Sequence, residues 1–389
     1  MKWQSAALAV ALLGCGRGSD DRLQPVELAD PTPARPEPAP EPARPPAEGP
    51  LVRRERSIMS TLFQVSSFGV EEERAGPLLE QALDEIARLE DVLSEWRPTT
   101  DVGRINAAAG GAPVTVGPDT LAVVEAGLEV SRRSGGAFDL SWAALRGLYT
   151  FQPGEERIPP IADVRARLAL VDWRQIHVAG DTVRLGRAGM AIGTGGIGKG
   201  YALDRAGAIL REGGIESYML FGGGQVQVHG LRGDRPWRVG IQHPRDPATY
   251  IGFIEATHGS ISTSGDYEHA FVDEEGNHWH HIIDLTTGLP ANRTMQVTLL
   301  AERGMYADAY STAAFVLGAE RALEMIRDAP TPLEAVIIDR DLRVHTTPGL
   351  GDRLVMRVAL DERGRLPGDP AFGGWRQPAS PVAEGAGAH

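Results

Sequence analysis

Residues 193–204, GTGGIGKGYALD, restrict what this chain can fold into more than any other stretch. Gly193, Gly195 and Gly198 spell G-x-G-x-x-G, and residues 193–200 read G-x-x-x-x-G-K-G, one residue short of a P-loop. Both patterns let backbone N–H groups approach a phosphate closely, ahead of a helix N-terminus that favours anions. A dinucleotide fold also needs a strand leading into the glycines and an acidic residue closing the next strand. Residues 190–192 offer the end of such a strand, but the next apolar run closes on Phe221-Gly222-Gly223-Gly224, without a carboxylate. A P-loop needs Ser or Thr after its lysine to ligate magnesium, and Gly200 stands there. Neither standard context is complete, and glycines placed for tight packing remain the plain alternative. Lys199 weighs against that alternative, because a cation at a helix start opposes the helix dipole unless an anion is near.

Around this stretch the pattern is irregular. Leu78, Leu79, Ala82, Leu83, Ile86, Leu89, Val92, Leu93 and Trp96 recur at helical spacing. Asp119 reads as the N-cap of a second helix that stops before Gly135-Gly136, and further helices are expected over 201–212 and 307–317, stopped by Gly213 and Gly318. Short apolar runs at 217–221, 226–228, 237–241, 295–300, 335–338 and 354–360 read as strands, with hairpin turns at 273–276 and 339–341. Helices and strands interleave without a regular βα alternation, which favours α+β.

Two more clusters carry chemistry. His278-Trp279-His280-His281 precedes Ile282-Ile283-Asp284. Zinc is poorly served, for no HExxH helix is present, and hydrogen-bonded core or surface histidines are the bland reading. In a strand, His278 and His280 share one face and His281 takes the other. In ADAYST, Asp308 and Thr312 lie four apart and stack on one helix face. With backbone carbonyls they make a hard-oxygen set suited to Mg²⁺; the alternative is a carboxylate merely placed in a first helical turn.

The N-terminus is of another kind. Lys2, an apolar run over 6–13 and then Gly14-Cys15 read as a signal peptide over 1–14 that ends at a bacterial lipoprotein-type processing site, with Cys15 acylated. Residues 15–50, dense in Pro, Ala and Glu, form an extended tether, and 368–389 a second unstructured tail, leaving 51–367 as the folded part. Cys15 is the only cysteine, which excludes an internal disulfide or a multi-Cys zinc site. The net charge of −13 argues against a nucleic-acid surface.

Read together and in order, MST at 59–61, DVGRIN at 101–106, GGAFDLS at 135–141, GGIGKGYALD at 195–204, GGGQ at 222–225, STSGDYE at 262–268, HHIIDLTTG at 280–288 and ADAYSTAAF at 307–315 resemble the ApbE family of FAD:protein FMN transferases. The resemblance covers about residues 58–319. It implies a single α+β, T-fold-like domain with mostly antiparallel sheets and flanking helices. It implies transfer of the FMN half of FAD, with Mg²⁺, to a threonine hydroxyl of an acceptor protein, releasing AMP. Acceptors in the family are flavin-carrying subunits of Na⁺-pumping quinone reductases and Rnf-type complexes. Family members are often lipid-anchored on the periplasmic side. Gly16 after Cys15 lacks the inner-membrane retention Asp, which points to the outer membrane.

By matched motif the resemblance places Met59, Trp96, Ala137, Phe138, Asp139, Gly193, Lys199 and Ile282 around FAD. It places the carboxylate of Asp308, the hydroxyl of Thr312 and the carbonyls of Gly196 and Ser311 around Mg²⁺. Trp96 on the last turn of its helix offers a flat face for adenine. The acceptor hydroxyl needs a base. His281 is the first candidate and Asp308 the second. Three positions depart from the family pattern: Gly193 and Gln225 stand where Asp is usual, and Leu285 where Pro is. The first two departures keep open a non-catalytic FAD-binding lipoprotein; a Mg²⁺-dependent FAD pyrophosphatase, with water in place of the threonine, would use the same site.

Overall fold

The computed structural model describes residues 49–368. The signal segment, Cys15, nearly all of the tether and the tail beyond Gly368 lie outside the described residues. The centre is an eight-stranded sheet in the order Leu51–Ile58, Thr61–Phe68, Tyr218–Gly222, Gln225–His229, His258–Gly265, Thr294–Ala301, Leu333–Asp339, Val344–Thr346. Every neighbouring pair is antiparallel.

Strand periodicity explains how one sheet serves two cores. Along Leu333–Asp339, Ala335 and Ile337 join the helical core, while Val336 and Ile338 join the core on the opposite face. Covered on both faces, the Thr294–Ala301 strand is buried at every position, its polar Thr294, Gln296 and Thr298 included. The first face carries the helices Glu72–Leu93, Pro118–Arg133, Gly198–Glu212, Gly304–Leu317 and Ala319–Arg327. The second carries a three-stranded sheet of Trp237–His243, Asp246–Ala256 and Leu354–Met356, from which Trp237, Val239, Ile241 and Ile254 pack onto Val226, Val228 and Ile261.

Several boundaries differ from the sequence reading. The first amphipathic helix ends at Leu93, so Trp96 lies beyond its end and not on its last turn. The Pro118–Arg133 helix is preceded by Gly117, and Asp119 lies inside its first turn, where its carboxylate accepts from Arg88 and from the Tyr201 hydroxyl. No strand is formed at residues 190–192, which removes the βα entry that a dinucleotide fold requires. The 354–360 strand stops at Met356.

The third helix starts at Gly198 and so includes Lys199 and Gly200. The Gly304–Leu317 helix starts a turn earlier than expected, which takes Asp308 out of the first turn. That helix is apolar all round and buried along most of its length, as a central helix must be. Its start is capped from a distance: Asp204 accepts from Gly304 N (2.6 Å) and Met305 N (3.1 Å). Thus the Asp closing GGIGKGYALD holds the helix that carries ADAYST.

Candidate active site

In the apolar Gly304–Leu317 helix, Asp308 is the exception. It is 3% exposed, and burial pushes its carboxyl above the usual carboxylate range against the opposing pull of Lys199 and the Gly200 N–H. Oδ1 accepts from Gln225 Nε2 (2.8 Å) and Oδ2 from Gly200 N (3.1 Å). Gln225 also donates to Ser262 Oγ (2.8 Å), and Ser262 and Ser264 each lie 2.9 Å from Ser311 Oγ. Gln225, placed by the tight Gly223-Gly224 turn, therefore gives Asp308 a neutral donor where the family pattern has a second acid. Its Oε1 is buried without a protein partner.

Thr312 follows Asp308 by one turn, and its hydroxyl lies 3.6 Å from where a Cβ on Gly196 would stand. Phe138 packs 3.2 Å from the same point. The Gly196, Asp308, Ser311 and Thr312 set expected around Mg²⁺ thus comes from two segments that the fold brings side by side.

Most amides of the glycine turn are already engaged within the protein. The N–H groups of Gly193, Thr194, Ile197 and Gly198 donate to Leu140 O (2.8 Å), Glu95 Oε2 (2.6 Å), Thr194 O (3.1 Å) and Thr194 O (2.7 Å). Gly200 N is taken by Asp308. These amides are bonded within the protein. What faces outward is the Lys199 side chain, with Nζ donating to Gly195 O (2.8 Å) and its stem against the Gly223 turn. The carboxylate missing at position 193 is supplied from elsewhere. A Cβ on Gly193 would lie 2.8 Å from Glu95 Oε2 and 2.9 Å from the Trp142 ring.

The histidine cluster divides. His280 is buried and bonded at both ring nitrogens: Nε2 donates to Ala291 O (2.9 Å) and Nδ1 accepts from Ile282 N (3.3 Å). His278 stands beside it, ring centroids 5.3 Å apart. No cluster of three or more His, Cys, Asp or Glu side chains suited to a metal occurs among the described residues, so the zinc reading gains nothing. His281 differs. Its Nδ1 lies 2.9 Å from the Glu268 carbonyl, which can only accept, so Nδ1 carries the proton and Nε2 the lone pair. Its edge reaches solvent, yet the surrounding protein, with His269, His280 and Lys199, pushes its pKa down to about 3. The shift favours the neutral imidazole.

The remaining candidates are placed as follows. Met59 and Ser60 form the tight turn between the first two strands at φ 51° and 59°, and the adjoining Thr61 touches the Gly223 position at 3.1 Å. Trp96 is 72% exposed, with the Arg146 guanidinium 4.9 Å over its ring. Asp139 is spent on structure, accepting from Ser141 N (2.8 Å), Ser141 Oγ (2.7 Å) and Trp173 N (2.9 Å), while Ala137 is half-buried. Ile282 is buried in the helical core. Glu95, Asp204, Ser262 and His269, whose ring meets His281 edge-on at 5.2 Å, escaped the sequence reading. Asp204 and Ser262 lie inside motifs already noted, but their roles, like those of Glu95 and His269, are set by partners elsewhere in the chain.

The ApbE family pattern matches residues 59–337, well over half of the chain. The chain belongs to the ApbE family. This ApbE-family chain is 32% identical over 326 residues to the FAD:protein FMN transferase of Treponema pallidum, covering 77% of this chain and 88% of the relative. It is 31% identical over 265 residues to that of Vibrio cholerae, covering 67% and 78%. Among solved structures it resembles the ApbE protein of Thermotoga maritima, with a TM-score of 0.71, 26% identity, and 77% of this chain and 98% of that one covered. The flavin transferase ApbE of Vibrio cholerae superposes with a TM-score of 0.67 at 26% identity, over 78% and 99%. The expected single α+β ApbE domain, with antiparallel sheets and flanking helices, is what this ApbE-family fold displays.

Proposed function

We propose that this protein transfers FMN from FAD to a hydroxyl, that of a threonine, on an acceptor protein, releasing AMP. One observation carries the reading: Asp308 Oδ2 accepts from Gly200 N (3.1 Å), which seats the buried acid next to Lys199, whose Nζ lies on Gly195 O (2.8 Å). A cation and a buried acid therefore share one small site, and we assign His281 as the base that attack on a phosphoanhydride needs.

The residues fit a hard divalent cation. A buried carboxylate whose charge is opposed by desolvation, beside a hydroxyl, is a site that a cation stabilises. Asp308, Thr312 and the carbonyls of Gly196 and Ser311 would hold Mg²⁺. Such an ion supplies charge neutralisation for the diphosphate and for the departing AMP phosphate. Lys199 neutralises a further diphosphate oxygen. His281 Nε2 accepts the hydroxyl proton as that oxygen bonds the FMN phosphorus, the anhydride P–O bond breaks, and AMP leaves with the bridging oxygen. Asp308 is the second candidate for the base, since its carboxylate would be engaged with the cation.

Lipid anchoring at Cys15 on the periplasmic side, preferably of the outer membrane, and an acceptor within a Na⁺-pumping quinone reductase or Rnf-type complex belong to the same proposal. They are supported by the sequence from Leu12 to Gly16 and by the motif resemblance. The test is incubation with FAD, Mg²⁺ and a threonine-containing acceptor subunit. Covalent flavin fluorescence on the acceptor, matched by AMP, is expected. Free FMN and AMP without acceptor would instead mark a pyrophosphatase, and bound FAD without products a carrier.

A further inference from the structure

We propose that Glu95 is a positioning residue that turns the glycine turn from an anion-binding surface into a cation-facing one. This rests on the metal reading above and extends it to a residue outside the ligand set.

Glycine turns at helix starts bind anions because their N–H groups are free and point outward. Here an internal anion occupies that place. Glu95 is 7% exposed, and its Oε2 accepts from Thr194 N at 2.6 Å, with the Gly195 N–H also directed at the carboxylate. Gly193 makes the room, since any side chain there would meet Glu95 Oε2 at 2.8 Å.

The consequence passes through Thr194. Its N–H is held by Glu95, its hydroxyl donates to Leu93 O (2.8 Å), and its carbonyl accepts from Ile197 N (3.1 Å) and Gly198 N (2.7 Å). In a trans peptide the C=O of one residue points opposite to the N–H of the next. With Ile197 N–H aimed at Thr194, the Gly196 carbonyl is aimed away from it, and a Cβ on Gly196 would stand 3.6 Å from the Thr312 hydroxyl. Glu95 thus withholds the Thr194 and Gly195 amides from phosphate and fixes the plane that presents a carbonyl to a cation.

The test uses the full chain and its E95L and E95Q variants, with folding checked by circular dichroism. Mg²⁺ binding is measured by calorimetry, and pyrophosphate binding is measured in EDTA. E95L is expected to bind Mg²⁺ roughly tenfold or more weakly, and E95Q to stay within about threefold because its amide oxygen still accepts from Thr194. E95L is also expected to bind metal-free pyrophosphate better than the parent, since its turn amides are released. Should E95L fail to fold, E95D, which draws the carboxylate back by one methylene, is expected to move both readouts in the same directions. A folded E95L with parental Mg²⁺ affinity and no gain in pyrophosphate binding overturns the proposal. A parent that binds no Mg²⁺ overturns the metal reading, and the pyrophosphate measurement then decides the role of Glu95 alone: a gain supports it, none overturns it.

Discussion

Gly200 and Gly304 meet backbone to backbone. A Cβ on Gly200 would lie 2.1 Å from the Gly304 carbonyl oxygen, and one on Gly304 would lie 2.4 Å from that of Gly200. This contact brings the start of the Gly198–Glu212 helix against the start of the Gly304–Leu317 helix, and so puts Lys199 within reach of Asp308. It also accounts for the broken P-loop pattern: position 200 has no room for a hydroxyl.

Restoring that pattern should therefore do harm. Gly200→Ser is expected to cost ~1–3 kcal/mol through overpacking, and more if the helices are forced apart. Thermal or urea unfolding of the variant checks this; a variant as stable as the parent would mean that the helix crossing is looser than described.

Asp308→Asn should separate stability from function. Burial raises the Asp308 pKa in the fold, so the charged form is disfavoured there, and that cost is present at neutral pH and relieved as pH falls through the raised value. The metal-free variant is expected to melt no lower than the parent at pH 7. Mg²⁺ should raise the melting temperature of the parent and leave that of the variant unmoved, while FMN transfer falls by roughly a hundredfold or more.

Gln225→Asp would set a second acid against Asp308 Oδ1, where Gln225 Nε2 now donates at 2.8 Å. Like charges in one buried site repel and raise each other's pKa. The expected outcome is a lower metal-free melting temperature and a larger upward shift with Mg²⁺ than the parent shows. Melting curves with and without EDTA decide it.

His281, held neutral with its pKa near 3, sets a pH dependence. As a base it is lost only on protonation, so kcat/KM for FAD should show no acid limb near pH 6.5 from this group. His281→Ala should abolish most transfer while FAD binding survives. An acid limb at the ordinary imidazole pKa, lost in that variant, would contradict the assigned environment.

Much of this was legible in the sequence, and the rest was not for definite reasons. The Asp308/Thr312 pair was visible because helical spacing alone stacks residues four apart. The strands at 226–228 and 335–338 were visible as short apolar runs, and fall within Gln225–His229 and Leu333–Asp339. The direction of the turn amides was not visible, because Glu95, which holds Thr194, lies 99 residues away. Likewise nothing local marks Asp204 as a cap for Gly304, 100 residues on. Trp96 fitted the helical period but lies past Leu93, for periodicity records a face and not where a helix stops.

The most direct test is a crystal soaked with FAD and Mn²⁺ in place of Mg²⁺, read by anomalous scattering. The peak is expected between the Asp308 carboxylate, the Thr312 hydroxyl and the Gly196 carbonyl, with the diphosphate against Lys199 and the Thr194 amide still on Glu95. A peak away from Thr312, or a diphosphate seated on the Thr194 amide, would contradict the account.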